Sequence, residues 1–157
     1  MASSIQPLRR ARLLHRWHEG HHAIEVALDD LRTWVYCQKH GGVPWDESTQ
    51  KLRDIRDEVA EFFRTEAWLC SATGCDGTGL ADDVLAAAEV HARQAAVDRY
   101  NLLSRLDSLI AQIELPAAAE LRQLNLDAVD EFIDHLERHM NCESESLLWF
   151  NNNRAMT

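Results

Sequence analysis

Four things are scarce in this chain of 157 residues, and each scarcity excludes something. No apolar run approaches the length of a membrane-spanning helix, so no membrane association is expected. Only 3 prolines and 6 glycines occur. They gather at a few places and leave long stretches with nothing to interrupt a helix. Cations are outnumbered: 16 Lys and Arg face 26 Asp and Glu, for a formal net charge of −10. With no basic stripe to offset that charge, nucleic acid is excluded as the main partner. The four cysteines, Cys37, Cys70, Cys75 and Cys142, are too scattered for a disulfide framework. Cys70 and Cys75 are close enough to pair or to share a metal, but no second close pair completes a zinc site. Met1 to Trp17 is Arg-rich and lacks the apolar core of a secretory signal, so a cytoplasmic location is expected.

What remains is helical. Strand-like alternation, repeats and low-complexity tracts are absent, and the length suits a single domain spanning 1–157 with its core at about 8–150. Breaks fall at His40-Gly41-Gly42-Val43-Pro44, at Thr73 to Gly79 and at Leu115-Pro116. The four segments between them predict an all-α, up-down-up-down antiparallel four-helix bundle. Their bounds are about Leu8 to Gln38, Asp46 to Cys70, Leu80 to Ile113, and Pro116 onward. Asp46 and Ser48 are candidate caps for the second helix, Pro116 suits the first turn of the fourth, and a break near Asn125 would split that last segment.

The apolar stripes of these helices contain residues that a core would not choose. The fourth reads Leu124, Ala128, Phe132, Leu136, then His139 and Glu143, then Leu147 and Phe150. The first reads Leu14, Trp17, His21, Ile24, Leu28, Leu31, Val35, with His21 at its middle and His15, His18 and His22 to its sides. The second places Glu66 after Leu52, Ile55, Val59 and Phe62. The third carries His91 and Asp98 among Val84, Ala88, Ala95, Leu102, Leu106, Leu109 and Ile113, although Asp98 can instead swing outward or pair with an Arg. A lone core His is usually a hydrogen-bonded structural residue, and a lone inward Glu usually belongs to an ion pair. Four helices with such residues at their middles point instead to one site where His21, His91, His139, Glu66 and Glu143 converge. Buried carboxylates and imidazoles need a cation or a partner. This nitrogen and oxygen mixture suits iron, manganese or zinc rather than calcium or magnesium. His15, His22 and His40 read as surface, and His18 and His135 as the nearest flanking residues. The five Trp read as packing, with Trp17 and Trp68 near enough to limit solvent access.

These residues resemble the hemerythrin-like (HHE cation-binding) domain family over about residues 10 to 150. His21-His22-Ala23-Ile24-Glu25 through Leu31 is similar to the family's first-helix signature, and His139-Met140-Asn141-Cys142-Glu143 to its fourth-helix H-x-x-x-E motif. Phe62 stands where the second-helix H-x-x-x-E motif ending at Glu66 has His, and Ala95 stands where oxygen carriers have a second His after His91. The resemblance implies a non-haem di-iron centre, two Fe bridged by oxo or hydroxo, that binds or reacts with O₂, NO or peroxide. Its metal residues would be His21, Glu66, His91, His139 and Glu143. Glu25, Asp98, His18 and His135 are the extra ligands or neighbours, and Phe62 marks a lost ligand position. The departures open coordination positions and put ordinary oxygen carriage in doubt.

An oxidoreductase of the di-iron oxidase or oxygenase type, acting on a small organic substrate, is the alternative function. A single metal held by His91, His139 and a carboxylate is a further arrangement, and a metal-free helical interaction module a further function. A ferritin-type centre is disfavoured because its Glu-x-x-His spacing is missing from the core positions. The protein is expected to be a monomer or homodimer.

Overall fold

A computed structural model describes residues 5–40, 48–75, 82–115 and 119–155, and within them the side chains of 8–40, 50–70, 82–115 and 120–147. Four helices fill these ranges: α1 (Ile5–His40), α2 (Ser48–Cys75), α3 (Asp82–Glu114) and α4 (Ala119–Ala155). Asp82 and Asp83 begin α3, where a negative charge favours the helix dipole, and Asp83 Oδ1 accepts the Val84 N–H at 3.0 Å. Lys39 supplies the opposite sign in the last turn of α1. The Gly41–Pro44 break, Asp46, Trp45 and Pro116 lie outside the described residues, as do the side chains of Ser48, Cys75, Trp149 and Phe150. The break anticipated near Asn125 is absent, for α4 runs through it unbroken. Asn125 is buried without interrupting the helix.

Each helix packs on two others, in the cyclic order α1–α2–α3–α4–α1. The result is a four-helix bundle, and ion pairs along its seams fix how neighbours run. Arg32 meets Asp134 and Glu137, whereas Lys39, farther along α1, meets Asp127 and Asp130, which lie earlier on α4. Arg53 meets Glu114 and Arg56 meets Asp107, while Arg105 meets Glu131 and His91 meets Glu143. Residue numbers rise along one helix as they fall along its partner, which is the sense of antiparallel neighbours. Those of the pairs that are exposed contribute little stability, but they disfavour a slipped register.

The stripes read from the sequence are nearly those buried. Leu28, Leu31, Leu52, Val59, Leu106, Phe132, Ile133 and Leu136 are essentially sealed from solvent. Leu124 is an exception. It is exposed, and Leu126 and Val129 take the inward positions in that part of α4. The antiparallel order brings the middle of α2, the first half of α3 and the later part of α4 to one level, and the polar residues meet there.

Candidate metal centre

Glu66, His139 and Glu143 each offer a ligand atom within 4.8 Å of the other two, and all three residues are buried. His139 Nε2 lies 3.2 Å and 3.1 Å from the two oxygens of Glu66. Its ring stands edge-on to Phe63, with centroids 5.2 Å apart, which fixes the plane of the imidazole. Glu66 is 0% exposed and Glu143 2%. Two carboxylates removed from water this completely require compensating charge or protons.

Three neighbours supply part of it. His91 Nε2 sits 3.0 Å from Glu143 Oε1. Its pKa is lowered from the ordinary histidine value, chiefly by burial, which favours the neutral ring that binds metals. The Cys70 thiol lies 3.9 Å from Glu143 Oε2. Burial first, then Glu143 and Glu66, push that thiol up to about 11, so it carries its proton at neutral pH. Arg99 is buried with its Nη1 3.9 Å from Glu66 Oε2, and this nitrogen has no hydrogen-bond partner among the described residues.

Cys70 and Arg99 are the residues that the stripes did not single out. Both were legible in principle, because Cys70 follows Glu66 by four residues and Arg99 follows Ala95 by four, which places each pair on one helix face. On α3 the inward line passes through Arg99, while Asp98 stays half-buried and accepts a hydrogen bond from Gln94 at 3.2 Å.

His21 is not brought into the group. Its Nδ1 lies 3.1 Å from Glu25 Oε1 and its Nε2 3.3 Å from Ser144 Oγ, so both ring nitrogens have partners. Glu25 is thereby occupied with His21 rather than with the cluster. Phe62 is buried between Trp17, His21 and Phe63, with ring centroids 5.7, 6.2 and 6.1 Å away. Gly20 makes room for it, since a Cβ there would lie 3.0 Å from Phe62 Cδ2. His18 is exposed against the edge of Trp17. His135 pairs with Arg105 at 2.8 Å. Trp17 is buried beside His21, but Trp68 is 58% exposed, with Arg9 stacked on its ring, and does not screen the centre.

A cavity of about 540 Å³ between α3 and α4 has His91, His139 and Glu143 in its wall, so the cluster is reachable from one side of the bundle. On the α2 side the buried Phe63 ring packs against His139, with the buried Phe62 ring next to it.

The protonation of Glu143 has a consequence for stability. Burial, and then the neighbouring Glu66 carboxylate, push its carboxyl up to about 7 from an ordinary 4.5. Folding of the metal-free protein therefore takes up a proton in the window between those values. The contribution is fully present below the lower value and is lost as pH rises through the upper one, about 3 kcal/mol at most. Denaturant midpoints of the metal-free protein should fall between about pH 5 and about pH 7.5, and Glu143→Gln should flatten that dependence. An unchanged slope in the variant would assign the proton elsewhere.

Comparison of the chain with protein-family models, with curated proteins and with solved structures finds no match.

Proposed function

We propose that this bundle is a metal protein in which Glu66, His139 and Glu143 hold one transition-metal cation, with His91 beside Glu143 as the next donor. Iron is the leading candidate, manganese and zinc being compatible with the same donors. The observation that carries the reading is the burial of two carboxylates and an imidazole whose ligand atoms lie within 4.8 Å of one another. No helix among the described residues is long and apolar enough to cross a membrane.

One cation fits this set better than two. Phe62 and Ala95 have no lone pairs to give, and both nitrogens of His21 are engaged by Glu25 and Ser144. Arg99 already sets a positive charge 3.9 Å from Glu66. A divalent ion would balance the two carboxylates, whereas a second would leave a large positive excess in a low-dielectric interior. A bound iron would supply Lewis acidity and one-electron chemistry towards O₂, NO or peroxide. The chain's own residues do the rest. His91 and His139 would offer ring nitrogens, Glu143 would give up its proton to the cation, and the buried Phe63 ring keeps its side of His139 apolar.

The cavity between α3 and α4 favours a second reading, an oxidase or oxygenase for a small organic molecule, because simple gas binding needs no space of that size. Both readings require the metal, and its quantity is the test. Protein produced with iron available should hold about one equivalent of transition metal per chain. Close to two would restore the di-iron arrangement. Trace metal in iron-replete material would leave the helical interaction module as the better account.

A further inference from the structure

The α3–α4 cavity is long as well as large. Its wall runs along α3 from His91 to Arg105, 14 steps that rise about 21 Å at 1.5 Å each. On the antiparallel α4 it runs from Glu143 back to His135, about 12 Å by the same rise. One end therefore holds His91 and Glu143, and the other Arg105 and His135. Ala95 and Leu102 lie along the wall between them. The volume of about 540 Å³ falls within the roughly 300–1,000 Å³ usual for small-molecule sites.

The far end is built to donate hydrogen bonds. Arg105 Nη1 lies 2.8 Å from His135 Nδ1, and a guanidinium can only donate, so Nδ1 accepts. The ring's hydrogen is then on Nε2, a second donor. Arg105 Nη2 is held by Glu131 at 2.7 Å, which fixes the guanidinium that orients His135. Arg138, also in the wall, is exposed, and its Nε reaches the Asp134 carbonyl at 3.4 Å while its terminal nitrogens have no ion pair among the described residues. Against these donors stands one wall carboxylate outside the cluster, Asp98, whose Oδ1 already accepts from Gln94.

We infer that this cavity binds an elongated organic monocarboxylate, its head group held by Arg138 and His135 and its apolar body lying over Ala95 and Leu102 towards the Glu66–His139–Glu143 cluster. The approach to a metal rests on the preceding reading, whereas the binding itself rests on the cavity alone. The stretch of wall from His135 to Glu143, about 12 Å along α4, suits a medium-chain acid better than acetate, and the donors beside His135 select the acid over its amide. A molecule so placed presents its tail, not its carboxylate, to the centre.

The test is calorimetric titration of octanoate into the full chain, once metal-free and once after cobalt(II), whose visible absorption reports filling of the centre. Octanoate should bind in both states, octanamide should bind much more weakly, and Arg138→Ala combined with His135→Ala should weaken octanoate about tenfold, the loss expected for charged hydrogen bonds. With cobalt bound, the terminal methyl protons of octanoate should broaden more than those next to the carboxylate. Failure of octanoate to bind, equal binding of the amide, or undiminished binding by the double variant would overturn the inference. Cobalt without octanoate binding sinks the pocket and spares the metal. Octanoate binding that depends on Arg138 and His135 in a protein that refuses cobalt sustains the pocket and sinks the metal.

Discussion

Replacing His139 with alanine should cost the protein most of its metal, at least about a hundredfold in affinity, whereas His135→Ala should leave the metal content nearly unchanged. The two residues are one turn apart on α4, so the comparison controls for helix and for composition. His139 is buried, with Nε2 at 3.1 Å from a Glu66 oxygen and its ring braced by Phe63. His135 is half-buried and turns its Nδ1 to Arg105. Metal content after dialysis measures the difference. The reverse ranking would mean that the inward face of α4 is one turn away from where the bundle places it. Comparable loss in both variants would mean a general disturbance of α4, which the far-ultraviolet circular dichroism of each would register.

Much of this arrangement was legible before any coordinates, for a definite reason. Helical spacing carries through whole segments, so Glu66 after Val59 and Phe62, and His139 and Glu143 after Phe132 and Leu136, could be assigned to the interior by counting. Their burial agrees with that assignment. Counting fails where the stripe drifts. On α3 the choice between Asp98 and Arg99 depends on a rotation of one residue, and only packing against α2 decides it in favour of Arg99. At Leu124 the same drift turned an expected core residue outward. His21 illustrates a different limit. Its position in the stripe was correct enough to leave it half-buried, but no spacing rule shows that Ser144 and Glu25 engage both of its nitrogens. Pairings between helices are set by side-chain reach, which a single sequence does not display. Trp68 differs from the expectation for a related reason, since an aromatic beside a stripe can cover the core or, as here, lie under an arginine on the surface.

Arg99→Leu should produce the other large effect, and its size should depend on metal. Arg99 is the arginine or lysine nearest Glu66 among the described residues, and Glu66 is completely buried. Removing one member of a buried ion pair typically costs about 3–5 kcal/mol, because the remaining charge loses its countercharge out of water; here Glu66 would keep its contact with His139. In the metal-free protein Glu66 would then share the interior with Glu143, the neutral thiol of Cys70 and two imidazoles. A cation bound between the carboxylates would replace much of what the guanidinium supplied. The melting temperature of Arg99→Leu should accordingly fall sharply without metal and recover most of the loss when metal is added, a larger metal-induced shift than in the unaltered protein. Leucine keeps the site apolar and roughly filled, so a packing defect alone would lower both states equally. An equal loss in both would assign Arg99 to packing of α3 against α2. A loss confined to the metal-free state would identify Arg99 as the countercharge that keeps the empty centre folded, and would explain why an arginine lies in the interior of a bundle at all.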